Sequence, residues 1–431
     1  MNFLKKQSPV RIISLGFALV ILIGSVLLSL PCSIRDGVTL RYIDALYMST
    51  SAVCVTGLLT VDAGDTFTPL GQFFLGMLIQ IGGLGVTAVG TGVILAMGKK
   101  INLKARNLIR EAGNLDSGKG VIRFIRLVFL TTVTFELAGA ALSFLVFRKN
   151  FPPLKAAGVS LFHSVASFNN SGFDILGGGQ NLIPYQDDIL LNLVTCALVI
   201  FGGIGFLVIR EVIAKRFRWK KLSMHAKVVL FMSLVLTVAG TVLLKLTEDI
   251  TWMGAFFTSV SARTAGFSTF PLGSFSGAGL LTVIVLMVIG ASPGSTGGGI
   301  KTTTCYVLFE GIRSSATNTS EKAFRYAVPA DAFRKAAVIT LLAIGIVLSG
   351  TYILVILEPG VPFLDALFEM SSAFGTAGLS TGISAGLCDA AKILTILIMF
   401  IGRLGPLTIA SLWYFTKGER VSYPEGNIAI G

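Results

Sequence analysis

The sequence predicts an all-α integral membrane protein of four repeats, each a span, a short re-entrant helix with its loop, and a second span. Three observations predict it. Hydrophobic residues fill 53% of 431 positions and charged residues only 13%, against the ~25% charge of an ordinary soluble domain. Apolar runs of the ~20 residues needed to cross a bilayer recur eight times, giving eight transmembrane helices. Between them, a shorter apolar stretch followed by one polar–glycine–apolar wording recurs four times, giving four re-entrant loops.

In chain order, the first repeat (1–98) carries a span at 12–30, a short stretch at 42–54 and a span at 72–97. The second (99–215) has 121–147, 157–169 and 188–209, and the third (216–318) has 226–246, 251–263 and 278–309. The fourth (319–431) has 336–357, 363–375 and 388–415, then a tail. Lys5, Lys6 and Arg11 give the first run the charged start of a signal peptide. It is too long for an ordinary apolar core, and no small-residue cleavage site follows. Pro31 directly before Cys32 is also wrong for lipoprotein processing. The segment reads as a retained span.

A net charge of +13 would suggest a nucleic-acid partner in a soluble protein. Assigned to loops, the charge separates into +18 on one side of the membrane and −5 on the other, with Glu136 and Arg403 inside spans. Basic loops stay cytoplasmic. Both termini are therefore expected inside, the short helices enter from outside, and the basic loops 98–126 and 210–227 face membrane lipid or a docked protein rather than nucleic acid. Five cysteines contain no CxxC pair, and only His163 and His225 accompany them, so no zinc or disulfide framework is offered. No paired carboxylates or nucleophile–base arrangement supports catalysis, and an enzyme is not expected.

The loops stack without gaps: TSAVCVTGL at 50–58, VASFNNSGF at 165–173, SVSARTAGF at 259–267 and SSAFGTAGL at 371–379. Their glycines, Gly57, Gly172, Gly266 and Gly378, lie 115, 94 and 112 residues apart, the signature of one unit copied around an axis. Irregular backbone at membrane depth is costly unless it is buried in protein or lines a wet cavity. Four such loops around one axis would give a ring of carbonyls able to replace the hydration shell of a monovalent cation. The helices before them would aim their negative C-terminal ends at the ion. The plainer reading is four turn glycines in re-entrant hairpins, with no ion.

The stretches SAVCVTGLLTVD, SFNNSGFDIL, SARTAGFSTF and SSAFGTAGLSTG resemble the pore loops of the Ktr/Trk/HKT superfamily of potassium transporters, with length and loop wording nearest its KtrB-type membrane subunits. The resemblance covers nearly the whole chain. It implies a pseudo-fourfold, potassium-channel-like arrangement of four span–pore helix–span repeats. It also implies a selectivity filter that holds K+ through backbone carbonyls. The residues it points to are Val55, Thr56 and Gly57; Asn170, Ser171 and Gly172; Thr264, Ala265 and Gly266; and Thr376, Ala377 and Gly378. No repeat has a full TVGYG, so a shorter and less regular set of ion sites is implied. The family further implies a homodimer with one pore per protomer and a cytoplasmic RCK-type, nucleotide-binding, KtrA-like ring. No covalent cofactor is expected, and Na+ dependence stays open.

The sixth span is interrupted by Gly290, Ser292, Pro293, Gly294, Ser295, Thr296, Gly297, Gly298, Gly299 and Lys301. A continuous helix cannot run through a proline and so many glycines. The segment superficially suggests a phosphate-binding loop, but Lys301 comes one position late and a membrane span precedes it. It reads either as a static kink or as a mobile barrier under the filter, and it resembles the family's intramembrane gating loop. Arg403, in FIGRLGP at 400–406, lies inside a span, where a cation normally marks function. It matches the arginine the family places beside that loop; a structural arginine satisfied by carbonyls is the alternative.

Glu136 reads as a buried packing partner and Arg263 as a brace for the third loop through neighbouring carbonyls. Asp62 and Asp174 read as either cation attractors or solvated loop residues, and His163 as a pore-helix residue with an ordinary hydrogen bond. Asn169-Asn-Ser171 fits a glycosylation pattern but lies within a loop. The sequence thus points to the ion-conducting, potassium-uptake subunit of a bacterial plasma-membrane system. A sodium-permeable or sodium-coupled carrier of the same fold and a non-conducting scaffold or sensor are the alternatives.

Overall fold

The computed structural model describes residues 9–96, 121–329 and 331–411. Lys5 and Lys6, most of the basic loop 98–126, both chain ends and the tail lie outside the described residues.

Four helices repeat in each quarter of the chain. The first quarter has α1 (Pro9–Ser29), α2 (Tyr42–Cys54), α3 (Pro69–Leu84) and α4 (Val86–Ala96). The second has α5 (Val121–Phe147), α6 (Pro153–Phe168), α7 (Ile189–Ile204) and α8 (Phe206–Ala214). The third has α9 (Met224–Thr247), α10 (Trp252–Ala262), α11 (Gly277–Val288) and α12 (Thr302–Thr317). The fourth has α13 (Ala332–Leu357), α14 (Phe363–Gly375), α15 (Asp389–Leu404) and α16 (Pro406–Ser411). Helix starts are written locally: Thr68, Asp188, Ser223, Thr251 and Ser276 each accept a first-turn N–H on their side chains, which satisfies donors the helix leaves free.

Among the described residues, only α1, α5, α9 and α13 are long, apolar and unbroken enough to cross a membrane. The last apolar run of every quarter is divided into two helices, so the interruption expected in 278–309 has counterparts in the other three quarters. At Gly85, Gly205 and Gly405 the backbone takes φ of 86°, 99° and 91° with ψ near 135°, a conformation that β-carbon sterics close to other residues. The chain turns by 98° between α7 and α8. Hydropathy passes straight over these breaks because both halves are apolar.

The quarters pack head to tail. In turn, α3 packs on α6, α7 on α10, α11 on α14, and α15 returns to α2, so contacts run from first to last and close on the first. The closing contact carries a buried ion pair, Lys392 Nζ to Asp44 Oδ1 at 2.6 Å, flanked at the surface by Arg41 and Asp389. The outward surface is strongly apolar, with Leu130, Leu234 and Leu341 69%, 64% and 70% exposed; such a surface is covered by lipid. On another part of the chain a hairpin, β1 (Lys322–Ala323) with β2 (Tyr326–Ala327), joins α12 to α13. Phe324 at its turn packs against Trp219, Phe231 and Tyr306. Glu310 accepts the Lys322 N–H and pairs with Arg313 at 2.8 Å.

Candidate functional site

The helices α2, α6, α10 and α14 each end in a tight turn. Val55, Asn170, Thr264 and Thr376 adopt left-handed backbone with φ of 57°, 58°, 79° and 50°. In three loops the next residue donates its N–H five positions back: Thr56 to Ser51, Ser171 to Ala166 and Ala377 to Ser372, the closing bond of a Schellman cap. The third loop departs by one position, Ala265 donating to Ser261.

One residue further stand Gly57, Gly172, Gly266 and Gly378, with φ of 97°, 69°, 78° and 83°. They meet. A β-carbon on Gly57 would lie 3.2 Å from Cα of Gly172, one on Gly172 2.7 Å from Cα of Gly266, one on Gly266 3.1 Å from Cα of Gly378, and one on Gly378 2.9 Å from Cα of Gly57. The ring closes in the same order as the helix packing. Asn181 Nδ2 donates to the Gly172 carbonyl at 3.2 Å. Among the described residues, no hydrogen bond reaches the other backbone carbonyls of the residues 55–57, 170–172, 264–266 and 376–378. Buried carbonyls are ordinarily paired.

On one side of the ring is a cavity of about 490 Å³, whose walls include Thr60, Asp62, Asp174, Ser268 and Ser380. The two aspartates there are engaged. Asp62 accepts the N–H of Gly179 at 2.7 Å, and Asp174 accepts from Leu176 N and Asn181 Nδ2.

On the other side the chain between α11 and α12 crosses beneath the loops. It begins and ends as a short parallel bridge, Ile289 with Ile300, and it is tied to three quarters. Ser292 N and Thr296 N donate to the carbonyls of Gly203 and Gly202. Thr296 Oγ1 donates to Phe168 O at 3.3 Å, and Gly298 N donates to Thr376 Oγ1 at 3.0 Å. Lys301 Nζ turns back to Gly297 O at 2.8 Å. Arg403 donates to the carbonyls of Thr296, Gly82 and Gly83, which pins the crossing segment to the first quarter. Gly290, Pro293, Gly294, Ser295 and Gly299 lie along the same segment, and Ser295 Oγ donates to Ser292 O.

The single residues sort themselves. His163 Nε2 meets Thr195 Oγ1 at 2.9 Å. Glu136 accepts from Asn169 Nδ2 at 3.0 Å, and the same amide reaches Gln80, so the end of α6 is held by α5 and α3. Arg263 donates to Ser233 O at 2.9 Å, a carbonyl of α9 rather than of a loop. Sequence reasoning missed Gly82, Gly202 and Gly402, which press against the carbonyls of Val53, Phe168 and Phe374. Each of those carbonyls lies four positions before a ring glycine. The wordings GGLG, GGIG and GRLG around positions 85, 205 and 405 are the signal that could have found them.

The chain matches the TrkH family, described as cation transport proteins, over residues 14–416. It is 36% identical to Ktr system potassium uptake protein B of Bacillus subtilis, covering 98% of this chain and 97% of that one. It is 35% identical to the potassium/sodium uptake protein NtpJ of Enterococcus hirae, covering 99% and 98%. Its fold is similar to that of the potassium transporter TrkH from Vibrio parahaemolyticus, with a TM-score of 0.75 at 19% identity over 95% of this chain and 86% of that one.

Proposed function

The chain belongs to the TrkH family of cation transport proteins, and from that premise we propose that it takes up potassium across the bacterial plasma membrane as the conducting subunit of a Ktr-type system. The observation that carries this reading is the closed ring of left-handed glycines among carbonyls of which, among the described residues, only that of Gly172 receives a hydrogen bond. A dehydrated K+ supplies the partner those oxygens lack. Val55 to Gly57 and their counterparts form the filter, and the cavity of about 490 Å³ is its outer mouth. The divided helices complete four further crossings beside the four unbroken ones, with both termini cytoplasmic.

The segment 290–301 acts as the gate. It lies across the inner end of the ring, and Arg403 holds it closed while placing a positive charge in the path of cations. Entry needs no chemistry in this chain, because a negative interior supplies about 2.3 kcal/mol per charge per 100 mV. Control enters through a homodimer seated on a cytoplasmic nucleotide-binding ring. A second reading, sodium permeation or coupling through the same pore, is favoured by the potassium/sodium description of the Enterococcus relative.

Flux into reconstituted vesicles tests both. The wild type is expected to pass potassium and rubidium well ahead of sodium, and deletion of residues 292–299 is expected to raise flux. Equal sodium flux decides for the second reading; unchanged flux in the deletion removes the gate.

A further inference from the structure

Behind the third loop, α7, α9 and α10 enclose a pocket of about 260 Å³. Ile200, Ile204, Leu230, Leu234 and Phe256 make its apolar walls, and Arg263 stands in it. It opens toward the bilayer, since Leu234 on its rim is 64% exposed. It is separate from the ring and from the outer cavity, yet Gly203 in its wall anchors the crossing segment through Ser292 N.

Arg263 is the anomaly. It is only 9% exposed, and its partners are neutral: Ser233 O at 2.9 Å, with Thr237 Oγ1 and Ser233 Oγ at 3.4 Å. Its Nε has no hydrogen-bond partner, and no carboxylate among the described residues lies within 4.0 Å of it. Two other cations within the helices are better matched: Lys392 has Asp44, and Arg403 has three carbonyls. A cation at hydrocarbon depth normally pairs with an anion or carbonyls, and this one is half-satisfied beside an apolar groove open to lipid.

Depth selects the anion. Ser233, on which Arg263 rests, is nine residues into α9, about 14 Å of helix from its start at Met224. A phosphate fixed in the headgroup layer does not reach it, whereas a free single-chain carboxylate does. We propose that this pocket binds one long-chain fatty-acid anion, its carboxylate on the Arg263 guanidinium and its chain between α7 and α9. A guanidinium–carboxylate pair is charge-assisted and bidentate, and the groove supplies the apolar surface the chain needs.

The test is photolabelling of the full protein in phosphatidylcholine vesicles with a diazirine-bearing oleate, mapped by peptide mass. Label is expected within residues 199–204 and 230–237, competed by oleate and not by oleyl alcohol or phosphatidylglycerol. Arg263→Gln is expected to weaken competition by about tenfold. Leu234→Trp, which fills the rim and leaves the arginine intact, is expected to abolish the label even where the arginine variant fails to fold. Equal competition by the alcohol, displacement by phosphatidylglycerol, or label that persists in Leu234→Trp overturns the proposal. So does a pocket filled by a second copy, seen as label absent from cross-linked dimers and present in monomers. The readout is binding, so it stands apart from the reading of the ring as a filter.

Discussion

Each ring glycine is fixed twice over, by a backbone that a β-carbon resists and by a neighbour's main chain where a side chain would stand. The second constraint is uneven. A β-carbon on Gly378 or Gly57 runs into the carbonyl oxygen of Thr56 or Ser171, while on Gly266 the nearest atom, Ala377 O, is 2.8 Å away. Serine at Gly378 or Gly57 should therefore lower folded yield as well as potassium preference. Serine at Gly266 still presses on that oxygen, so folded yield should fall there too but less than at Gly378 or Gly57, and the folded fraction should show a lower rubidium-to-sodium uptake ratio; an unaltered ratio would argue for a turn with no ion. These glycines were legible because the same wording returns four times. Arg263 was legible as a cation in a loop, but its partner on α9 was not, since thirty residues separate it from Ser233 and the serine carries no mark of the contact.

At the scale of elements, the divided helices matter most. Among the described residues no other atom lies within 4 Å of where a β-carbon on Gly85 would stand, whereas one on Gly205 would meet Pro293 O at 2.7 Å. Alanine at Gly85 should then cost only backbone strain, on the order of 1–2 kcal/mol. Alanine at Gly205 should cost that and also push on the crossing segment. Thermal unfolding in detergent, paired with flux, separates them: both variants lose stability, and only Gly205→Ala alters flux. Equal flux effects would detach the segment from its seat. The short helices could be read ahead of time from length and polarity, Tyr42–Cys54 and Phe363–Gly375 matching the short apolar stretches residue for residue. The breaks could not, because a glycine in an apolar run looks the same to hydropathy whether the helix bends or continues.

For the molecule as a whole, the decisive contact is the one that joins its first and last quarters. Asp44 and Lys392 are 348 residues apart, and their side chains are 9% and 4% exposed. Removing one charge from such a pair strands the other, at a typical cost of about 3–5 kcal/mol. Asp44→Asn should lower the unfolding temperature sharply, and adding Lys392→Met should recover much of the loss. A double variant no better than the single would show that the quarters are held by packing alone. Four-fold repetition was legible in the sequence. Which helix of the last quarter returns to the first was not, because two ordinary charges at opposite ends of a chain announce no pairing.

The hydrogen bond from Asn181 to the Gly172 carbonyl shows what a one-chain ring permits. In a channel assembled from identical subunits every alteration arrives in fourfold, so the number of oxygens offered to a guest can change only in steps of four. If the ring is the proposed filter, a single codon here occupies one oxygen and leaves its three counterparts untouched, and natural variation would adjust ligand count one by one.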